Sequence, residues 1–244
     1  MTILGPDLKF ARSATDAWLA RAFPFTVLAQ GQVVVGADVT TDSRIGYPLH
    51  LYSRTLKYEK SFGADTPLFR PDRRMHSRRR LAPASSGGVW AAHVTEYVID
   101  RFDATGRRDL RVLRRVPWFE PHDAPTLNVD PEPKPLITAI SEDALGRLWV
   151  FTLVKDSRWK GALGSTLPSR LGGGRSPIPV ILDHDRYFDT IIEVIDVRAL
   201  RLVVSQRVDA ALMFAFGRDH AAARREDSTG AFYIQLWRLA VKGL

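Results

Sequence analysis

The sequence predicts an all-β fold assembled from four-stranded antiparallel units, and three observations carry that prediction. One strand opening recurs: Gly31-Gln-Val-Val-Val35, Gly88-Val-Trp-Ala-Ala92 and Gly146-Arg-Leu-Trp-Val150 each follow an apolar strand and a turn. Each opening is followed by a hairpin whose first strand ends in a short polar turn, at residues 49–58, 97–106 and 191–200. Helical periodicity is almost absent, and only residues 13–22 suit one or two helical turns. Four short strands per repeat, at nearly equal steps along the chain, are the signature of a β-propeller blade.

The clearest unit is Ile-Ser-Glu-Asp-Ala-Leu-Gly-Arg-Leu-Trp-Val at 140–150. An apolar strand end meets an acidic turn closed by Gly146, and a second strand opens on Leu148, Trp149 and Val150. Glycine accepts the positive φ of a tight connection, and the aromatic and branched residues suit a pleated, packed surface. Taken in order, the chain gives a partial blade at 1–13, blades at about 22–63, 78–117 and 136–209, and a partial blade at 211–239. Three loops depart from the pattern: 64–77, rich in Pro, Arg and Asp; 119–135, with its prolines and alternating acids; and a long insertion at 155–189. A β-sandwich also offers many short strands, but it has no reason to repeat one four-strand grammar with Trp90 and Trp149 at the same place. Both tryptophans are expected to fill the space between successive sheets.

With 244 residues the chain can bury one sizeable core. It has no cysteine, which excludes disulfides and thiolate metal sites. The formal net charge is +8, which can attract nucleic acid or anionic surfaces but comes without a basic helix or stripe. The opening residues do not form a signal peptide, and no apolar run reaches the length of a membrane span.

Phe-Asp-Ala-Thr-Gly at 102–106, Glu-Asp-Ala-Leu-Gly-Arg-Leu-Trp-Val at 142–150 and Ile-Glu-Val-Ile-Asp at 192–196 resemble bacterial six-bladed β-propellers of the NHL and TolB-like kind. The resemblance covers most of the chain and is specific for blades rather than for activity. It implies protein or carbohydrate contacts, with occasional enzymes, and a periplasmic or secreted setting. Against six blades, three full units and two partial ones imply a member shortened at its N-terminus. Alternatively, about four blades close a smaller ring, with the opening hairpin completing the last blade.

For function, the sequence leads to a non-enzymatic recognition module of unknown ligand, without a cofactor. Arg158, Trp159, His184, Asp185, Arg186 and Tyr187 all lie in the long insertion, and Arg, Trp and Tyr are the residue types that anchor interfaces. The competing structural role is that Trp159 and Tyr187 merely fix the insertion to the blade edge. The alternative function is a lactonase-like propeller hydrolase, which by resemblance holds a divalent cation in its channel with carboxylates and an asparagine. Asn128 is the chain's single asparagine and lies in the proline-rich loop, while Glu96 and Glu193 are further carboxylates near strand ends. Asp183-His-Asp-Arg-Tyr-Phe-Asp189 gathers three carboxylates and an imidazole but lacks the spacing and glycine of an EF-hand loop, so no metal site is assigned. Gly172-Gly-Gly174-Arg-Ser176 lacks the Walker lysine, and no Gly-x-Ser-x-Gly elbow occurs, so no catalytic residue is assigned. Nucleic-acid binding, the third reading, would rest on Arg73-Arg-Met-His-Ser-Arg-Arg-Arg80, whose alternation in a strand divides its charges between two faces.

If Trp149 packs between sheets, Trp149→Ala removes a large buried side chain and costs about 3–5 kcal/mol in a denaturant melt. A change within experimental error would count against that placement.

Overall fold

Apolar strands separated by tight turns assemble into antiparallel sheets in the computed structural model. It describes residues 2–4, 10–13, 24–37, 46–64, 78–122, 132–165, 179–227 and 229–241. The fold is a β-propeller of four blades, two in each of two contact units, Met1–Arg115 and Val116–Leu244. In the first unit, β1 (Thr2–Leu4) and β2 (Phe10–Ser13) form a hairpin. Blade one is β3 (Phe25–Val27), β4 (Val33–Gly36), β5 (Leu49–Tyr52) and β6 (Tyr58–Phe62). Blade two is β7 (Arg79–Pro83), β8 (Val89–His93), β9 (Val98–Phe102) and β10 (Arg108–Leu113).

In the second unit, blade three is β11 (Leu136–Glu142), β12 (Arg147–Lys155), β15 (Phe188–Asp196) and β16 (Arg201–Val208). Between its second and third strands lie β13 (Leu163–Ser165), β14 (Pro179–Ile181) and the single-turn helix α1 (His184–Tyr187). Blade four has three strands, β17 (Leu212–Phe216), β18 (His220–Glu226) and β19 (Phe232–Arg238). Among the described strands β1 pairs only with β2, and β19 only with β18.

The hairpin at 140–150 forms as its residues dictate. Asp143 Oδ1 accepts the backbone N–H groups of Leu145 and Arg147, each at 2.9 Å, and Gly146 takes φ 74°. Asp143 Oδ2 accepts the Trp149 indole N–H at 3.0 Å and Arg147 Nε at 2.7 Å, so the turn locks the tryptophan that follows it. The same three-residue loop recurs at Asp103–Arg107, closed by Gly106, and at Ser53–Lys57, where Leu56 holds φ 64° in the glycine's place.

Blades pack face to face within each unit. Leu28, Val34, Leu49 and Leu51 of blade one meet Val89, Ala91 and Phe102 of blade two. Trp149, Phe151, Ile192 and Val194 of blade three meet Leu212, Ala221 and Ala223 of blade four. Trp149 thus sits in a seam, whereas Trp90 is fully buried on the opposite face of its strand from Ala91, with the Arg101 guanidinium 5.4 Å from its ring.

The repeat also places a buried ionisable group at one register position in each of the first three blades. Val35, Ala91 and Val150 follow equivalent positions of the second strand and stand opposite His50, Asp100 and Glu193 in the third. These in turn face Ser61, Arg111 and Ser205 in the fourth. All three ionisable residues are at most 2 % exposed. His50 Nδ1 lies 2.7 Å from Ser61 Oγ, and Arg111 grips both oxygens of Asp100 at 2.7 Å.

Several sequence features fall outside the described residues: the 14–22 part of the expected helical turns, the Arg73–Ser77 part of the basic run, Asn128, the glycines at 172–174 and Arg175. Arg79 and Arg80 of that basic run are built into β7, where Arg79 is 4 % exposed and burial lowers the pKa of Arg80. Those two guanidiniums are poorly placed to meet phosphate. No helix among the described residues is long and apolar enough to cross a membrane.

Burial alone would raise the Asp100 pKa, but hydrogen bonds from Arg111 and His93 and their charges outweigh it and bring it to about 2. A carboxyl depressed in the folded state stabilises the protein above its unfolded value of about 3.9, and that contribution fades as pH falls through the folded value. Asp100→Asn should therefore be destabilising at pH 7, with its gap to the parent narrowing between about pH 4 and pH 2. Urea midpoints across that range check this, and a constant gap would sink it.

Candidate functional site

The insertion leaves blade three where β12 ends and returns where β15 begins, so its two stems are neighbours across the sheet, with Lys155 opposite Phe188. It carries its own small core. Ala162 and Tyr187 pack with Leu153, Phe188 and Ala211, and Trp159, Leu163 and Ile181 cover them. The Trp159 and Tyr187 rings meet edge-on at 6.3 Å, and Tyr187 meets Phe188 at 4.6 Å. Tyr187 is 1 % exposed, so what its ring does is hold the insertion to the strand ends.

The other insertion residues singled out in the sequence separate into distinct roles. Asp183 caps α1 by accepting the N–H groups of Asp185 and Arg186. Asp185 accepts the Ala211 N–H at 2.9 Å and pairs with Arg225, which ties the insertion to blade four. His184 is half-buried, and burial with the nearby Arg224 charge lowers its pKa, against an upward pull from Asp183. Arg186 is exposed, with its guanidinium beside Gly161. The seven-residue acidic stretch is therefore not one ligand set.

Only Asp189 of that stretch joins a carboxylate cluster, and its partners come from elsewhere. Asp156, just past β12, Asp189, in β15, and Asp209, just past β16, each bring a carboxylate oxygen to within 4.8 Å of the others. Asp156 is 3 % and Asp189 8 % exposed, while Asp209 faces solvent. Arg158 binds Asp156 through Nε at 3.0 Å and Nη2 at 2.7 Å, and its Nη2 reaches Asp209 at 2.5 Å. Arg207 donates to Asp189 Oδ2 from Nε at 2.6 Å and to the Lys155 carbonyl at 2.7 Å. Asp189 Oδ1 is buried and accepts no hydrogen bond from the described residues.

This geometry drives the two buried carboxyls apart. Hydrogen bonds from Arg158 hold Asp156 well below the usual carboxylate range despite the opposing effect of burial. Burial pushes Asp189 up; Arg207 opposes that, and the Asp156 carboxylate adds to it. Two close carboxylates resist joint ionisation, so the pair accommodates a proton or a cation between them. Sequence spacing gave no sign of this cluster, because the insertion separates Asp156 from Asp189 along the chain. Of its neighbours, only Arg158 stood out from the sequence.

No family model and no curated protein matches this chain. Among solved structures, virginiamycin B lyase from Staphylococcus aureus is similar, with 12 % identity and a TM-score of 0.42 over 99 % of this chain and 78 % of that one. A structure described as the Dos1 propeller shows 13 % identity and a TM-score of 0.41, over 91 % of this chain and 59 % of that one. A streptogramin B lyase shows 11 % identity and a TM-score of 0.40, over 99 % and 76 %. The likeness is one of fold, and no residue or reaction is carried across. Two of these three propellers are lyases by description, so the expectation of a non-enzymatic recognition module and the leaning against catalysis find no support among them.

Asp189 has a raised folded pKa, so its charge costs stability as pH climbs through that value, and the cost is absent below the unfolded value of about 3.9. Asp189→Asn is expected to melt at or above the parent at pH 7, with the difference closing by about pH 4. A variant that melts well below the parent at pH 7 would show that the Arg207 pair dominates instead.

Proposed function

We propose that this chain is a propeller enzyme of the hydrolase or lyase type with an acidic centre at Asp156, Asp189 and Asp209. The observation that carries the proposal is the buried Asp156–Asp189 pair, whose proton affinities are driven in opposite directions by their surroundings. Such splitting is how one site holds an acid and a base at the same pH. In this reading Asp156, kept ionised by Arg158, takes a proton from the substrate. Asp189, favoured in its protonated form, gives up that proton when it serves as a ligand to a cation, and the leaving group is protonated by water. Arg158 and Arg207 fix both carboxyls through charge-assisted hydrogen bonds.

A divalent cation, which the resemblance to propeller hydrolases implies, fits this donor set. Three carboxylates against two guanidiniums leave a net negative charge, and Asp189 Oδ1 has no donor on it. Hard oxygen ligands of this kind suit magnesium or calcium. Asp189 and Asp209 would hold the ion, and it would supply Lewis-acid polarisation of a substrate oxygen. In this reading His184 and Arg186, carried by the insertion, contact substrate, while Trp159 and Tyr187 hold the insertion in place. The six-bladed bacterial propeller type remains our reading of the blade motifs at 102–106, 142–150 and 192–196.

The test joins binding to turnover. Magnesium, calcium or manganese should raise the melting temperature of the parent protein, because an ion bound only by the folded state stabilises it. Asp189→Asn and Asp209→Asn should abolish that shift. Screening a panel of esters and lactones should reveal an activity that Asp156→Asn and Asp189→Asn remove while remaining folded. A protein with neither an ion-dependent shift nor turnover would overturn the proposal.

A further inference from the structure

Blade four differs from the other three in a way that bears on assembly. It has three strands where they have four, and its outer strand β19 pairs on one edge only among the described strands. Exposed sheet edges are usually blunted by proline, by bulges or by charges placed along the strand. The strand Phe232-Tyr-Ile-Gln-Leu-Trp-Arg238 has none of these before its final arginine. Its pairing with β18 runs from Phe232 to Arg238 without a register shift, so the edge is regular throughout. Phe232, Tyr233, Ile234 and Leu236 are 53–62 % exposed.

The order of side chains in β19 also matches its own reverse. Let two copies of the strand meet antiparallel about Gln235, so that all seven residues are paired. Phe232 then stands opposite the other copy's Arg238, Tyr233 opposite its Trp237, and Ile234 opposite its Leu236. The three pairs are a cation over an aromatic ring, two aromatic rings and two aliphatic chains, each a favourable cross-strand combination. A register displaced by two residues leaves ends unpaired, and a shift of one residue turns the faces over.

We propose that β19 is a homotypic docking edge: two copies of this chain pair through it about a two-fold axis at Gln235, each giving the other's blade four its fourth strand. The interface is isologous, so it closes on itself at two copies and does not propagate. Main-chain hydrogen bonds supply its affinity, and the matched side chains supply its register.

The chain has no native cysteine, so single cysteines report the register directly. At the axis the two copies of position 235 face each other within disulfide range. The two copies of position 232 lie roughly 20 Å apart, six residues along the strand. In the full chain, Gln235→Cys should give a covalent dimer under mild oxidation or with a short bismaleimide, and Phe232→Cys should not. Light scattering should show a dimer for the parent and loss of that dimer for Ile234→Lys, with the melting transition retained. Equal cross-linking at both positions would mean unspecific adhesion and would overturn the proposal. So would a monomeric parent with no cross-link at 235, including one whose edge is taken by a different protein.

Discussion

A blade of four short strands has two broad faces and cannot keep both from water by itself. This single constraint orders the molecule. β8 is buried along its whole length and β12 along nearly all of it, so both faces of each must be covered. The seams answer with unequal partners: large side chains from one sheet meet small ones from the next. Phe151 and Trp149 of blade three lie with Ala221 and Ala223 of blade four in the second unit. In the first, Phe102 and Leu49 lie with Ala91 and Val34. Alternation of bulk lets two sheets approach closely without leaving voids.

The same constraint explains where the acidic cluster sits. A seam has no room for a long connection, so the insertion between β12 and β15 stands beyond the strand ends and needs a core of its own. Its polar anchors then meet the connections that link successive blades. Arg158 reaches Asp209 beyond β16, and Asp185 reaches Ala211 just before β17. Asp156 and Asp189 are drawn into that junction and buried. Burial and pairing there, rather than any one residue, set their unequal acidity.

Much of the fold was legible because it depends on short-range chemistry. The glycine at 146, the acid three residues before it and the tryptophan three residues after it report one hairpin, and it forms as written. The strand-to-strand order of blades one to three follows from repeats of that kind. What stayed hidden depends on long-range closure. Asp156, Asp189 and Asp209 have no common spacing, since an insertion of arbitrary length separates the first two. The acidic stretch at 183–189 gathers its members in sequence only. In space a helix cap, a tie to blade four and a cluster member point to three different places. The tryptophans show the same limit: Trp90 and Trp149 share a repeat position, yet their surroundings differ.

In each of the first two blades one buried ionisable group finds a partner within the blade. The buried His50 finds Ser61, and the buried Asp100 finds Arg111, always one strand further out in the same sheet. No neighbouring blade is needed to satisfy those groups. A blade of this kind can be duplicated, lost or transplanted as a unit, because the polar debt it would otherwise leave behind is settled within its own four strands. The two residues of each pair, however, must change together. The divergence from histidine with serine to aspartate with arginine is what a history of copying whole blades, followed by paired substitution, would leave.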